Sequence, residues 1–220
     1  MKKILAGIAV LAVAAAAQAE LLNTWTFTGG GNQTNERNEE IANYDKVTYT
    51  DLTLNNLTLT GTGTANKFLA SQGWNGDNAS VSTVVTVSNG YEITGAKFQV
   101  GGLNAANGGP GSMKWQLNGS DVGNQTWTVK YQSTASVADD YDIGKLAAGA
   151  NTLSLVKAGS ENTTGGSIGA TGTFRLLNTL KLDGTIGTTG SDPSAVPEPA
   201  TMSLLGLGAL AMVIRRKLRK

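Results

Sequence analysis

The chain has 220 residues and contains neither cysteine nor histidine. Without cysteine no disulfide can staple it. Without histidine it cannot build a Ser-His-Asp or Cys-His catalytic arrangement, a histidine-ligated zinc site, or a copper site that uses an N-terminal histidine. Glycoside hydrolysis survives this exclusion, because it needs only two carboxyl groups. No phosphate-cradling loop is present: Gly29-Gly30-Gly31 lacks the lysine and following helix that such a loop requires. A large charge of one sign is also missing, since the formal net charge is +1. That balance hides a division. Lys2, Lys3 and five basic residues near the C-terminus lie outside residues 20–195, which hold ten basic and fifteen acidic residues, a net of −5. The middle of the chain is therefore a poor partner for nucleic acid or anionic lipid.

Long hydrophobic runs occur only at the two ends. At the N-terminus Lys2-Lys3 precedes an apolar stretch from Ile4 to Ala17. Ala17-Gln18-Ala19 fits the small-x-small rule for signal peptidase. Residues 1–19 are therefore expected to be a signal peptide, cut between Ala19 and Glu20 after engaging the general export machinery. No cysteine follows the cut, so this is not a lipoprotein signal. At the C-terminus Val196-Pro197-Glu198-Pro199 leads into an uncharged run from Ala200 to Ile214. The run ends on Arg215, Arg216, Lys217, Arg219 and Lys220. As a helix it spans about 22 Å, short against the ~30 Å hydrocarbon core. Snorkelling of the flanking cations and local thinning cover the deficit. The basic flank favours a cytoplasmic C-terminus. Together the two ends place residues 20–195 outside an inner membrane.

Pro197-Glu198-Pro199, the apolar helix and the basic tail resemble the PEP-CTERM sorting signal of Gram-negative bacteria. The resemblance covers residues 196–220. It implies that exosortase, a membrane-embedded cysteine transpeptidase, recognises the motif and removes the tail near Pro197–Pro199. It also implies transit to the cell surface or extracellular matrix. Physically, the two prolines stop the helix from extending upstream and hold the motif extended at the membrane surface. The competing reading is a tail anchor that is never cut.

Residues 20–186 are long enough for one domain with its own core. Their apolar period is two, not 3.6. An opening strand alternates Leu22, Thr24, Thr26 and Thr28 with Asn23, Trp25 and Phe27. Leu52 and Leu54, then Leu57 and Leu59, flank Asn55-Asn56, which shifts the phase by one residue. Val81, Thr83, Val85 and Val87 share one strand face. Asn89-Gly90 is a hairpin signal, and the next strand runs to Val100 with an irregularity at Gly95. Residues 101–111 read as a flexible loop. Met113, Trp115 and Leu117 form a strand, Asn118-Gly119 a turn, and Trp127, Val129 and Tyr131 another strand. Leu153 and Leu155 mark a short strand. The closing strands fall between Thr171 and Ile186, broken at Asn178. Ala138–Ala148 is the one helix candidate. Nine or so strands with frequent turns predict an all-β fold, an antiparallel β-sandwich of jelly-roll type. Residues 187–195 read as a polar linker.

The body is also similar to the β-sandwich ectodomains of many PEP-CTERM proteins. The shared pieces are Gly73-Trp74-Asn75, Gly90-Tyr91, Gly109-Pro110-Gly111 and the closing Gly172-Thr173-Phe174-Arg175-Leu176-Leu177-Asn178. The chain lacks the arginine usual in the loop before Gly109-Pro110.

Three sites are candidates. Trp74, with Asn75 and Asp77 in an amide-rich loop, offers a ring and hydrogen-bonding groups to a sugar, while the resemblance makes a structural plug equally natural. Trp115 and Trp127 sit in alternating strands and read as core. Asp139, Asp140 and Asp142 group hard oxygen ligands as calcium would need, without EF-hand spacing, and read first as a solvated acidic turn; on a short helix Asp139 and Asp142 would share a face. Glu36, Glu39 and Glu40 near Arg37 read as a solvated turn or helical segment with local charge pairing. No cofactor is expected. The preferred reading is an exported, exosortase-processed surface or matrix protein with a structural or adhesive role and no catalysis. The alternative is a carbohydrate-binding module of an exopolysaccharide matrix, and a third reading is a glycoside-active enzyme.

Overall fold

The computed structural model describes residues 19–29, 32–60, 68–131 and 139–190. In chain order the strands are β1 (Glu20–Gly29), β2 (Asn32–Arg37), β3 (Val47–Tyr49), β4 (Thr53–Asn55), β5 (Thr58–Leu59), β6 (Phe68–Gln72), β7 (Ser80–Val87) and β8 (Tyr91–Val100). They continue as β9 (Leu103–Ala106), β10 (Ser112–Leu117), β11 (Ser120–Asp121), β12 (Trp127–Thr128), β13 (Tyr141–Leu146), β14 (Gly149–Lys157), β15 (Thr173–Leu177) and β16 (Thr179–Thr188). A single 3-10 turn, Tyr44–Lys46, is the one helical element among the described residues.

The strands form three antiparallel sheets. The first has the order β13-β8-β16-β1-β2. The second runs β11-β10-β14-β7-β3, with β12 pairing β10 and β4 pairing β7. The third runs β5-β6-β15-β9. From β4 onward most strands consecutive in sequence lie in different sheets, so the chain winds back and forth between layers as a jelly roll does.

The first two sheets face each other across one apolar core, and aromatic rings bridge them. Phe98 of β8 stacks on Trp115 of β10 at 4.0 Å and 18°. Trp127 meets Trp115 edge-on at 6.0 Å, and Tyr141 of β13 meets Trp127 edge-on at 5.7 Å. Trp25 of β1 packs edge-on against Tyr49 of β3. Buried rings with polar atoms need partners. The Trp127 Nε1 donates to the Asp139 carbonyl at 2.8 Å, and the Tyr141 hydroxyl donates to the Val122 and Gln125 carbonyls.

The segment joining β3 to β4 is held by side chains from the first sheet. Trp25 Nε1 donates to the Thr50 carbonyl at 2.9 Å, and Asn35 Nδ2 donates to the Tyr49 carbonyl at 3.2 Å. Gln33 uses both ends of its amide on Leu52, accepting from its N–H and donating to its carbonyl. Three side chains thus take the place of a missing backbone ladder at this side of the sandwich.

Several expectations hold in detail. Val81, Thr83, Val85 and Val87 are all buried, and so are Trp115 and Trp127. Gly95 takes φ +60 inside β8, where the ladder with β16 slips between Asp183 and Thr185. Asn178 takes φ +62 between β15 and β16. Asn56, φ +52, separates β4 from β5, which lie in different sheets.

Others are corrected. Asn89-Gly90 makes a tight turn, closed by Tyr91 N–H to the Ser88 carbonyl at 3.1 Å. It carries the chain from the second sheet to the first, so β7 and β8 are not a paired hairpin. Residues 101–111 are not a free loop: Leu103–Ala106 is β9, buried at all four positions. The helix expected within Ala138–Ala148 is β13, in which Gly144 at φ +84 interrupts the register. Glu36 and Arg37 belong to a strand, β2, and not to a turn or helix. Among the described residues there are sixteen strands, not nine or so, because several are two or three residues long. The last strand runs to Thr188, two residues into the stretch read as linker.

Candidate functional site

Trp74 is fully buried. Its ring lies edge-on against Phe174 of β15 at 5.4 Å, and its Nε1 donates to the Ser71 hydroxyl at 3.0 Å. A ring so buried and with its polar atom engaged presents no face to a sugar, and of the two readings open for Trp74, sugar platform and structural plug, the geometry fits the plug. Its loop neighbours Asn75 and Asp77 are exposed. Lys157 ties this loop down by donating to the Gly76 carbonyl at 3.1 Å.

Three of the four pieces singled out in the sequence meet in space. Gly73-Trp74 packs on the Phe174 of the closing segment. A Cβ on Gly109 would stand 2.2 Å from the Thr173 carbonyl oxygen, and one on Gly172 would stand 2.5 Å from that of Gly108. Two backbone stretches therefore lie in direct contact where only glycine fits.

The aspartates disperse. Asp139 contributes its backbone carbonyl to Trp127, Asp140 accepts from Gln99 Nε2 at 3.3 Å, and the Asp142 carboxylate caps the Gly144 N–H at 2.9 Å. All three are exposed, and among the described residues no group of three or more acidic, histidine or cysteine side chains is placed to hold a metal. The strand geometry of β13 also removes the shared helical face expected for Asp139 and Asp142. Asp140 affects Asp183 of β16, whose carboxyl is held above its usual range first by burial and then by the Asp140 charge.

A concavity lies along β2 and β3. It is an open cleft of about 810 Å³ whose lining includes Asn35, Glu36, Arg37, Glu40, Thr48 and Tyr49. Arg37 pairs with Glu39 at 3.4 Å and lies 5.0 Å from the centre of the Tyr44 ring. The charge pairing expected around Arg37 is thus present, with an aromatic face added. Burial pushes the Tyr49 phenol well above its usual range, and the Arg37 charge opposes that shift. Sequence reasoning did not join Tyr49 to Glu36 and Arg37. The amide side chains in Asn32–Arg37 were the available signal, since they can satisfy backbone groups of a neighbouring layer.

The sorting-motif residues Val196, Pro197, Glu198 and Pro199, the apolar run and the cations Arg215, Arg216, Lys217, Arg219 and Lys220 lie outside the described residues, as do residues 1–18. Among the described residues no helix is long and apolar enough to cross a membrane.

Fold and core define an antiparallel β-sandwich whose four tryptophans are turned inward. To this body the C-terminal segment adds a recognised address: the PEP-CTERM protein-sorting motif matches residues 195–217. The motif implies export, a membrane-anchored sorting signal before processing, and exosortase as the processing enzyme. Among solved structures the chain resembles a protein described as carbohydrate binding module family29, at 11% identity and a TM-score of 0.35, covering 76% of this chain and 90% of that one. A likeness at that level says nothing about what this chain binds. No curated protein matches the chain.

Proposed function

We propose that this is an exported, exosortase-processed protein that is retained at the cell surface or in the extracellular matrix, where its role is structural or adhesive and not catalytic. The observation that carries the reading is the sorting motif over residues 195–217. The body is compatible with the processing it implies. β1 begins at Glu20, the residue after the expected signal-peptidase cut, so that cut leaves the first sheet whole. β16 ends at Thr188, leaving a short polar stretch before Val196. In the first sheet Glu20 pairs with Gly184, so the chain enters and leaves the sandwich at one end of neighbouring strands.

The inward turn of Trp25, Trp74, Trp115 and Trp127 supports a scaffold over an aromatic sugar platform. Fractionation of the host with and without its exosortase tests the reading. Release to the surface or medium in the first case and retention in the inner membrane in the second are expected. Identical distribution in both would overturn it.

A further inference from the structure

A strand at a sheet edge presents unpaired N–H and C=O groups, which proteins guard with short strands, bulges or covering segments. Among the described residues most edges here are guarded. β5, β11 and β12 have two residues each, and β3 has three. β13 is interrupted at Gly144, with the register slipping on both sides. β9 is covered by residues 130–131: Ala105 N–H donates to the Lys130 carbonyl, and Ala105 bridges Tyr131.

β2 is the least protected edge: its ladder with β1 slips only at its first residue, between Phe27 and Gly29. It is six residues long, contains no proline or lysine, and keeps unbroken register with β1 from Gln33 to Arg37. Which of its backbone groups are free follows from the ladder. Asn38 N–H donates to the Leu22 carbonyl, so in an antiparallel pair the bonded positions are Glu36 with Thr24 and Thr34 with Thr26. Phe27 agrees, because its N–H turns the other way, to Asn178. The N–H and C=O groups of Gln33, Asn35 and Arg37 therefore point outward. The strand is already ordered, since Gln33 and Asn35 are tied by their side chains to Leu52 and Tyr49. The cleft along Asn35–Glu40 leaves the edge accessible.

The sequence of β2 fits a second copy of itself. With a two-fold axis at Asn35, Gln33 faces Arg37 of the partner subunit and Thr34 faces Glu36 of the partner subunit. All three outward residues then pair, giving about six backbone hydrogen bonds across the seam. No like charges face each other. Shifting the axis toward the C-terminus by one residue sets Glu36 against Glu36, and by two sets Arg37 against Arg37, both unfavourable; shifting it the other way, to Thr34, pairs only Gln33 and Asn35 among the outward residues and so loses about two of the six bonds. We propose that β2 is a self-docking edge, at which two copies join their five-stranded sheets into one continuous antiparallel sheet about a two-fold axis at Asn35. The inference does not rest on the sorting reading. A chain kept in the membrane pairs equally well, and a monomer would leave the sorting account intact.

The absence of cysteine makes the test clean. Full-length chain in detergent carries either Thr34→Cys or Glu36→Cys, and the two are oxidised alone and mixed. Thr34 and Glu36 across the seam form a close pair, Cα atoms about 4.5 Å apart, within disulfide range. Crosslinking of the mixture, with little of either variant alone, is expected. A monomeric mass with no crosslink, or self-crosslinking of Thr34→Cys alone, would overturn the proposal. Thr34 is exposed, so its charge variants leave the fold unchanged. Thr34→Glu, set against Glu36 twice per dimer, weakens association roughly two- to thirty-fold, and Thr34→Arg strengthens it. Equal association of both variants would refute the register.

Discussion

Trp74→Ala separates a core role from a binding role most sharply. The indole is wholly buried against Phe174, and its N–H is bonded to Ser71, itself buried. Truncation removes the transfer free energy of a large ring, opens a cavity, and leaves the Ser71 hydroxyl without this partner. Substitutions of that kind cost about 3–5 kcal/mol. At about 4 kcal/mol the unfolding equilibrium shifts roughly a thousandfold, a large part of the ~5–15 kcal/mol that holds a domain together. With a urea m-value of about 2 kcal/mol/M the midpoint drops by about 2 M. Trp74→Phe keeps most of the volume and costs less, though the Ser71 hydroxyl still loses its donor. Urea titration followed by far-UV circular dichroism reads both variants. A midpoint for Trp74→Ala within about 0.3 M of the parent would refute the core assignment. So would a variant of unchanged stability that lost retention on a polysaccharide in affinity electrophoresis.

Other perturbations follow from particular contacts. Gly109→Ala drives a Cβ into the Thr173 carbonyl, so the backbone must separate; a loss of about 3 kcal/mol is expected in the same titration, and a neutral outcome would contradict the contact. Asp183 binds its proton more tightly folded than unfolded, because burial and Asp140 raise its pKa above 3.8. Its contribution is present in full below 3.8 and is lost as pH rises through the higher folded value. Asp183→Asn therefore gains stability relative to the parent above that window and not below it. Denaturation midpoints of both proteins across pH 3 to 7 check the sign, and a gain confined to acid would refute it.

The parts of this fold that were legible share a simple physical signature. β7 is central, with one face on the core and one outward, so Val81, Thr83, Val85 and Val87 alternate cleanly. Gly95, Asn56 and Asn178 showed as breaks because a left-handed backbone selects glycine and asparagine. β9 gave no such signature: Leu103 to Ala106 is buried on both faces, so nothing alternates, and glycines flank it. β13 resembled a helix because the Gly144 irregularity spaces Ile143 and Leu146 by three and alanines surround the segment. β2 was hidden because its inward residues are amides that bond to backbone instead of packing as apolar groups.

Sheet membership was beyond local reading. Asn89-Gly90 has the same turn chemistry whether it joins neighbours in one sheet or crosses to another, and only tertiary packing decides. The candidate site fared similarly. A loop tryptophan beside amides reads as exposed, and the cover of Trp74 includes Phe174 of β15, a hundred residues further on. The address at residues 195–217 was fully legible, because its specificity lies in order and composition along the chain and not in folding.

The central claim is sorting with removal of the tail, and intact mass spectrometry of the protein from its host, taken with its cell fraction, tests it most directly. The account predicts a mature form that begins at Glu20, ends near Pro197–Pro199 and is found at the surface or in the medium. A form that keeps residues 200–220 and stays in the inner membrane would contradict it.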